Sequence, residues 1–164
     1  MGEKFTLFWR GPLSQWYKSH FYEDGIHYFC MEQYMMAKKA ELFGDMKMKR
    51  LIMESSSPKE IKDFGRMVKP FDKQKWDAVA RDIVFQGNYL KFTQDGELKK
   101  KLMETDGTTC VEASPYDKIW GIGLAENGAG CQSRSTWKGL NWLGETITKV
   151  REKIKYEDTE RICK

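Results

Sequence analysis

The sequence predicts an α+β fold, a helix-rich single domain with a small sheet. From residue 31 onward, hydrophobic residues recur mainly at helical spacing, whereas short apolar and aromatic runs near residues 7, 27 and 110 are typical of strands. Hydrophobic residues make up 40% of the 164 residues, and the chain contains no internal repeat, low-complexity tract or linker. This length and composition predict one domain that spans residues 1–164.

The first predicted elements are two strands and a helix. Residues 5–9 are apolar and aromatic, and an Asp-Gly pair at residues 24–25 favours a tight turn before a short strand at residues 26–29. A helix then begins at Met31, because apolar residues follow at helical spacing as far as Leu42. Gly44 is predicted to end this helix, since glycine readily adopts the left-handed conformation found at helix ends.

Three further helices are predicted from caps and hydrophobic spacing. The second covers residues 45–54, and a capping box starts the third, with Ser57 as the cap, Pro58 in the first position and Glu60 three residues after the cap. Gly65 is predicted to end the third helix. The longest helix follows Asp72 and is buried along two stripes, which are Trp76, Val79, Ala80, Ile83, Val84 and Leu90, and Phe85, Tyr89 and Phe92.

The C-terminal part combines a helix, a strand, a long loop and a final helix. The helix covers residues 97–104, the strand residues 108–113, and the final helix contains Leu143, Ile147, Val150 and Ile154. The irregular stretch between them, residues 114–140, is where function is expected, because long ordered loops in compact domains are usually functional. Its glycines do not have the spacing of a dinucleotide-binding fingerprint or a P-loop.

Composition disfavours several classes of protein. The two histidines, His20 and His27, have no recognised zinc spacing, and the four cysteines form no Cys-x-x-Cys pair, so we expect free thiols and no metal site. No apolar run approaches the roughly 20 residues of a membrane span, and no signal-peptide pattern opens the chain, which predicts a cytoplasmic protein without a membrane partner. The net charge of +4 permits an anionic substrate without requiring one.

Two acids, Glu32 and Asp117, lie among aromatic and apolar residues. A carboxylate is costly to bury unless it is paired or takes part in chemistry, so both are candidate catalytic residues. Two such acids near tryptophans suggest a reaction that passes through a cationic sugar. For Glu32 a structural role is the alternative, because the helix dipole stabilises a carboxylate in a first helical turn by about 0.3–1 kcal/mol.

Six segments, in order along the chain, resemble motifs of the NADAR family. They are Met31-Glu32-Gln33-Tyr34-Met35, Ile61-Lys62-Asp63-Phe64-Gly65-Arg66, Lys91-Phe92-Thr93-Gln94, Val111-Glu112-Ala113-Ser114, Asp117-Lys118-Ile119-Trp120-Gly121-Ile122-Gly123 and Lys138-Gly139-Leu140-Asn141-Trp142-Leu143-Gly144. The resemblance extends from about residue 21 to residue 154, and six motifs in order are highly specific. It implies a YbiA-like fold and an N-glycoside hydrolase that needs no cofactor and no metal.

The resemblance also implies a substrate class and a set of site residues. Family members act on phosphorylated riboflavin-pathway intermediates or remove ADP-ribose from modified guanine, so the expected partner is a small phosphorylated N-glycoside or an ADP-ribosyl nucleobase, free or carried in nucleic acid. By position, Glu32, Trp76, Asp117 and Trp120 match active-site residues of the family, and Asn141 is a weaker match. Glu32 is expected to act as the base or to stabilise the sugar cation, and Asp117 to orient the sugar or act as the second acid.

Two departures from the family pattern concern the choice of substrate. Gln33 replaces the histidine that usually follows the glutamate, and the loop before Asn141 is longer than in the bacterial YbiA type. This loop contains Arg134 and Trp137, and we expect it to cover the substrate. Lys62, Arg66 and Arg134 are candidate phosphate ligands, with exposed surface positions as the alternative.

A second function from a different class uses the same residues. A non-catalytic module that binds ADP-ribose or a related nucleotide would need a similar pocket, but it would gain nothing from two acids near the sugar. Binding of nucleic acid through the lysine-rich helix faces is a third possibility, although the chain lacks the aromatic and basic strand motif of common RNA-binding modules.

Overall fold

The computed structural model describes residues 2–164 and confirms the predicted α+β class. Its Cα positions divide into two compact units, which we call the helical unit (Gln15–Asp95) and the split unit (the residues before Gln15 together with Gly96–Lys164). In chain order the elements are β1 Phe5–Phe8, β2 Phe21–Glu23, β3 Ile26–Tyr28, α1 Met31–Leu42, α2 Met46–Glu54, α3 Pro58–Arg66, α4 Lys73–Gln94, α5 Gly96–Met103, β4 Thr109–Glu112 and α6 Trp142–Ile162.

In the helical unit, α1 is the central element. Helices α2, α3 and α4 all pack against it, and its residues from Met31 to Ala37 are buried without interruption. Strands β2 and β3 form an antiparallel hairpin in which Phe21 faces Tyr28, and the two rings stack at 5.8 Å. The N-terminal end of α1, where Glu32 lies, is therefore enclosed by structure rather than open to solvent.

The helix starts in this unit confirm the predicted caps Ser57 and Asp72, and Asp45, predicted as the first residue of the second helix, is its cap. The side chain of Asp45 accepts a hydrogen bond from the backbone N–H of Met48, that of Ser57 from Glu60, and that of Asp72 from Lys75. Each satisfies one of the N–H groups that a helix leaves unpaired in its first turn. Helix α1 ends as predicted, with Gly44 at φ 72° after the Phe43 cap.

The prediction that Gly65 ends α3 is wrong. The helix continues to Arg66, and Gly65 is a buried residue inside it. A Cβ atom at this position would lie 2.0 Å from the Sδ atom of Met36, so the glycine allows α3 to approach α1 closely. Leu42 is likewise exposed rather than part of the buried face of α1.

In the split unit, the N-terminal strand pairs with a strand from much later in the chain. Strand β1 lies parallel to β4, with Phe5 opposite Thr109, and α6 packs against β4. Val111, Ile122 and Cys131 form the buried centre of a hydrophobic cluster, against which Phe5, Leu7, Leu124 and Trp137 pack. The strands predicted at residues 5–9 and 108–113 are confirmed as β1 and β4. Their parallel pairing was not predicted.

We expect Gly144→Ala to destabilise the protein by about 2 kcal/mol, because overpacking at a rigid contact outweighs the better helix propensity of alanine. A Cβ atom at Gly144, in α6, would lie 2.1 Å from the carbonyl oxygen of Cys110, a backbone atom of β4. Thermal or urea unfolding measures the change. Gly96→Ala is the matched control, since nothing lies within 4 Å of a Cβ atom there. Equal stability of the two variants would contradict the close approach of α6 to β4.

The four cysteines are free thiols, as predicted from their spacing. Cys30, Cys110 and Cys131 are buried and Cys163 is exposed. Among residues 2–164, no helix has both the length and the apolar composition needed to cross a membrane.

Candidate functional site

Glu32 occupies the first turn of α1 and is only 7% exposed. Its backbone N–H donates to the carbonyl oxygen of Gln15 at 2.9 Å, which fixes the start of the helix against the preceding segment. A carboxylate at this position is stabilised by the positive end of the helix dipole. The helix start therefore holds an acid in a largely water-excluded place, which raises its electrostatic influence on any bound group.

Cys30 lies immediately before α1 and shares its surroundings with Glu32. Burial raises the pKa of the Cys30 thiol to about 11, although the backbone N–H of Gln33 opposes this effect. The Glu32 carboxylate raises the same pKa further and the Lys91 ammonium lowers it, so both charges act on the thiol. A negative and a positive side chain thus both lie close enough to Cys30 to act on its thiol.

Lys91 is an additional functional candidate. From the sequence it was identified only as part of the Lys91-Phe92-Thr93-Gln94 motif. It is fully buried in α4, with its Nζ atom 4.8 Å from the ring centre of Phe92 and 5.9 Å from that of Tyr17. Burial lowers the pKa of Lys91 to about 7. Strongly shifted groups in enclosed places are enriched at functional sites. The indication was present in the sequence, because Lys91 lies two helical turns after Val84 on the buried stripe of α4.

The three other predicted site residues of the helical unit differ in burial. Trp76 lies in the first turn of α4 and is 7% exposed, with the Lys39 Nζ atom 5.8 Å from its ring centre. Lys62 is half-buried on α3. Arg66, at the end of α3, is exposed and makes a loose ion pair with Asp63 at 3.7 Å. Trp76 is therefore enclosed beside a cation, and the Arg66 guanidinium remains accessible.

In the split unit, Asp117 organises a tight loop after β4. One oxygen of its carboxylate accepts hydrogen bonds from the backbone N–H groups of Ile119 and Trp120, at 2.9 and 2.8 Å. The hydroxyl of Ser114 accepts from the N–H of Asp117 and of Tyr116. These bonds fold residues 114–120 into a fixed turn in which the Asp117 carboxylate has a defined position.

The loop is joined to the start of α6 by backbone hydrogen bonds. In each bond the first residue donates its N–H and the second accepts with its carbonyl oxygen. The pairs are 138 to 122, 140 to 118, 141 to 121, 142 to 119 and 143 to 120. Trp120 also packs edge-on against Trp142, with ring centres 5.5 Å apart. Apart from a 3-10 helix at Arg134–Thr136, the stretch from Ser114 to Leu140 is irregular as predicted. Asp117 and Trp120 are nevertheless held by the helix that follows it.

Asn141 has a structural position at this junction. It adopts a left-handed conformation with φ 54°, and its side chain is fully buried. Its Oδ1 atom accepts from the N–H of Glu112 and its Nδ2 atom donates to the carbonyl oxygen of Cys110. Both ends of the amide are thus used to fasten α6 to β4.

Arg134 and Trp137, which we expected to cover the substrate, both have partners within the split unit. Trp137 packs in the hydrophobic cluster of the split unit, and its Nε1–H donates to the carbonyl oxygen of Cys131. The Arg134 guanidinium donates to both oxygens of Glu3 and to Glu145 and lies over the Trp137 ring. The Arg134 bond is the main cause that lowers the pKa of Glu3, to about 2. A phosphate that binds Arg134 would have to displace the carboxylates of Glu3 and Glu145 from its guanidinium group.

Comparison with known proteins identifies the family. The model of the NADAR domain matches residues 7–155. The chain belongs to the NADAR domain family. A relative from Acanthamoeba polyphaga mimivirus, named an N-glycosidase, is 47% identical over 145 residues, which cover 85% of each chain. A second protein named an N-glycosidase, from Nostoc punctiforme, is 30% identical over 142 residues, 84% of each chain. The NMR structure of the E. coli protein YbiA matches with a TM-score of 0.78 and 28% identity, over 98% of this chain and 90% of that one.

The NADAR motif positions include one substitution, and the structure explains why it is tolerated. Gln33 stands where the resemblance led us to expect histidine. Its Oε1 atom accepts from the N–H of Phe29, and its Nε2 atom donates to the carbonyl oxygens of Ile52 and Met53. In this NADAR domain the glutamine therefore links the start of α1 to the end of α2.

Proposed function

We propose that this chain hydrolyses the bond between a ribosyl C1′ atom and an amine or base nitrogen in a phosphorylated substrate, either a riboflavin-pathway ribosylamine or ADP-ribosylated guanine. The reaction class, N-glycoside hydrolysis, follows from membership of the NADAR family and from relatives named N-glycosidases at 47% and 30% identity. The cytoplasmic location expected from the sequence remains a prediction.

The burial of Glu32 is the observation that best supports a catalytic reading. Cleavage of a ribosyl C–N bond places positive charge on the sugar, and a preorganised carboxylate in a place shielded from water stabilises that charge. At 7% exposure, Glu32 is shielded in this way. The same carboxylate can accept a proton from the water molecule whose oxygen then bonds to C1′.

Lys91 suits the proton requirement of the leaving nitrogen. The nitrogen departs as a neutral amine or base only if it gains a proton, and a group with a pKa near the working pH donates most effectively. The pKa of about 7 gives the Lys91 ammonium that property. Lys91 also lies close enough to the start of α1 for its charge to act on Cys30, and we therefore propose it as a candidate proton donor.

We expect kcat to fall as the pH rises above the pKa of Lys91, because the amine then has no proton to donate. A pH–rate profile from about pH 5.5 to 9.5 measures this effect. Lys91→Met should lower the rate below the pKa of Lys91 and remove this fall with pH, whereas Lys75→Met, an exposed position on the same helix, should retain the wild-type profile. A wild-type rate that is constant over the range would remove Lys91 from this role.

Asp117 and Trp120 remain candidate substrate contacts. The Asp117 carboxylate uses one oxygen for the loop, and its second oxygen can accept a hydrogen bond from a sugar hydroxyl. Trp120, half-buried, offers an aromatic face on which a base can stack. Lys62 and Arg66 remain candidates for the phosphate.

Direct product analysis tests the proposed function. The purified chain is incubated with ADP-ribosylated guanine, free and in an oligonucleotide, and with ribosylaminopyrimidine phosphates, in buffer that contains EDTA. Mass spectrometry then detects the free base or amine and the released sugar. We expect release from at least one substrate without added metal, and release at least about 100-fold slower with Glu32→Gln. Tight binding of ADP-ribose without release from any substrate would favour the non-catalytic module.

A further inference from the structure

Lys39 is a half-buried cation in the helical unit that forms no direct ion pair with an acid in the part of the chain that the structure describes. It lies on α1, one position after Lys38, which pairs with Glu23 at 2.8 Å. Among residues 2–164, the ion pairs do not include Lys39. A partly desolvated charge without a counter-ion is unfavourable, so its retention here requires an explanation.

Aromatic rings form the immediate surroundings of this ammonium. The Lys39 Nζ atom lies 4.6 Å from the ring centre of Phe71 and 5.8 Å from that of Trp76. Phe71 is 47% exposed, whereas Trp76 is nearly covered. Cation–π contacts attract the ammonium to this place but do not neutralise it. The charge is thus held beside a partly open aromatic wall.

The charged groups that act on Lys39 are those expected around a bound phosphorylated sugar. Burial, the largest effect, lowers the pKa of Lys39, the Arg66 guanidinium lowers it further, and the Glu32 carboxylate raises it. The Lys39 and Arg66 charges repel each other, and Arg66 is held only by its loose pair with Asp63, so an additional anion between the two cations would be favourable. A phosphate placed between Lys39 and Arg66 would attract both positive charges and offset the repulsion between them.

The positions of Lys39 and Glu32 on one helix match the two ends of a ribosyl phosphate. Seven residues separate them, which places them on nearly the same face and about 10.5 Å apart along the axis. A lysine side chain in a helix points back toward the N-terminus, so the Lys39 ammonium extends toward Glu32 and shortens this span. The remaining separation suits a sugar with its reacting carbon at Glu32 and its 5′-phosphate at Lys39.

We propose that Lys39, together with Arg66, binds the 5′-phosphoryl group of the substrate, with Phe71 and Trp76 as the wall of this subsite. The proposal rests on the proposed function for the placement of the sugar at Glu32. The ligand class is a phosphomonoester or diphosphate attached to ribose. The subsite would select phosphorylated substrates over the corresponding nucleosides.

Binding of ribose 5-phosphate and of ribose to the full chain tests this subsite. Calorimetric titration should show that wild type prefers the phosphate, and that Lys39→Met weakens ribose 5-phosphate binding by about 10-fold to 100-fold, the usual strength of charge-assisted hydrogen bonds. Ribose binding should not change. Lys39→Arg should recover part of the affinity. Lys38→Met, which removes the same charge one position earlier, should keep the preference for phosphate.

A measurement on the wild-type chain makes the test independent of folding of the variants. The NMR signal of the Lys39 side chain, assigned by its loss in Lys39→Arg, should report a higher pKa when inorganic phosphate is added. No change on phosphate addition, or an equal loss of ribose and ribose 5-phosphate binding in Lys39→Met, would overturn the proposal. Phosphate binding that depends on Lys39 in a chain without hydrolase activity would instead retain the subsite and reject the proposed function.

Discussion

Replacing Glu32 with glutamine is expected to lower kcat by about 100-fold to 10,000-fold, the usual contribution of a positioned acid or base. Glutamine keeps the shape of the side chain and most of its hydrogen bonds but removes the negative charge that stabilises the sugar cation. Substrate affinity should therefore change little. Single-turnover kinetics separates the loss in the chemical step from any change in binding.

Glu60→Gln is the matched control for this experiment. Glu60 is also an acid in the first turn of a helix, α3, but it is exposed. If Glu32 only neutralises a helix start, both substitutions should cost at most about 1 kcal/mol of stability and leave the rate nearly unchanged. Normal turnover in Glu32→Gln would contradict the mechanism proposed here.

Asp117→Asn provides the companion to this test. Asparagine retains the oxygen that accepts from Ile119 and Trp120, so the loop should keep its shape while the charge is lost. If both carboxylates serve one transition state, the double variant should be little slower than the slower single variant. Full multiplication of the two losses would indicate that they act independently.

The largest loss of stability is expected for Asn141→Ala, at about 3–5 kcal/mol. The substitution leaves the N–H of Glu112 and the carbonyl oxygen of Cys110 without their partners, and each unsatisfied buried group costs about 1–3 kcal/mol. Alanine also tolerates the positive φ of this position less well than asparagine. Denaturant unfolding measures the effect.

A second readout distinguishes this structural role from the substrate contact suggested by the family motif. At a temperature where Asn141→Ala remains folded, KM should equal that of wild type. Asn127→Ala, in an exposed part of the long loop, is the control and should change neither stability nor KM. A raised KM with normal stability would assign Asn141 to the substrate instead.

The helix boundaries were the most predictable part of the fold. Asp45, Ser57 and Asp72 each satisfy a backbone N–H in the first turn, and this local chemistry can be recognised without knowledge of the rest of the chain. Gly65 was misjudged because a glycine that ends a helix and one that admits a neighbouring helix have the same sequence pattern. Only the position of Met36 distinguishes them.

The candidate site was predictable in part. Glu32 lies at the start of α1 as expected, but Arg134 is paired with Glu145 and with Glu3, and Glu3 is far away in sequence. Trp137 was assigned to a substrate cover because it lies in a long loop of the kind that is usually functional, whereas its ring packs against the hydrophobic cluster of the split unit. Lys91 was missed as a site residue because burial of a lysine depends on every element around it.

The pairing of β1 with β4 has a consequence for synthesis on the ribosome. Phe5 is made early but faces Thr109, more than a hundred positions later, so at roughly 5–20 residues per second this strand waits for several seconds without a partner. The helical unit is continuous in sequence and can fold during that interval. Until β4 emerges, the unpaired edge of β1 is a target for aggregation or chaperone binding, and conditions that slow translation between residues 15 and 112 should lower the yield of native protein.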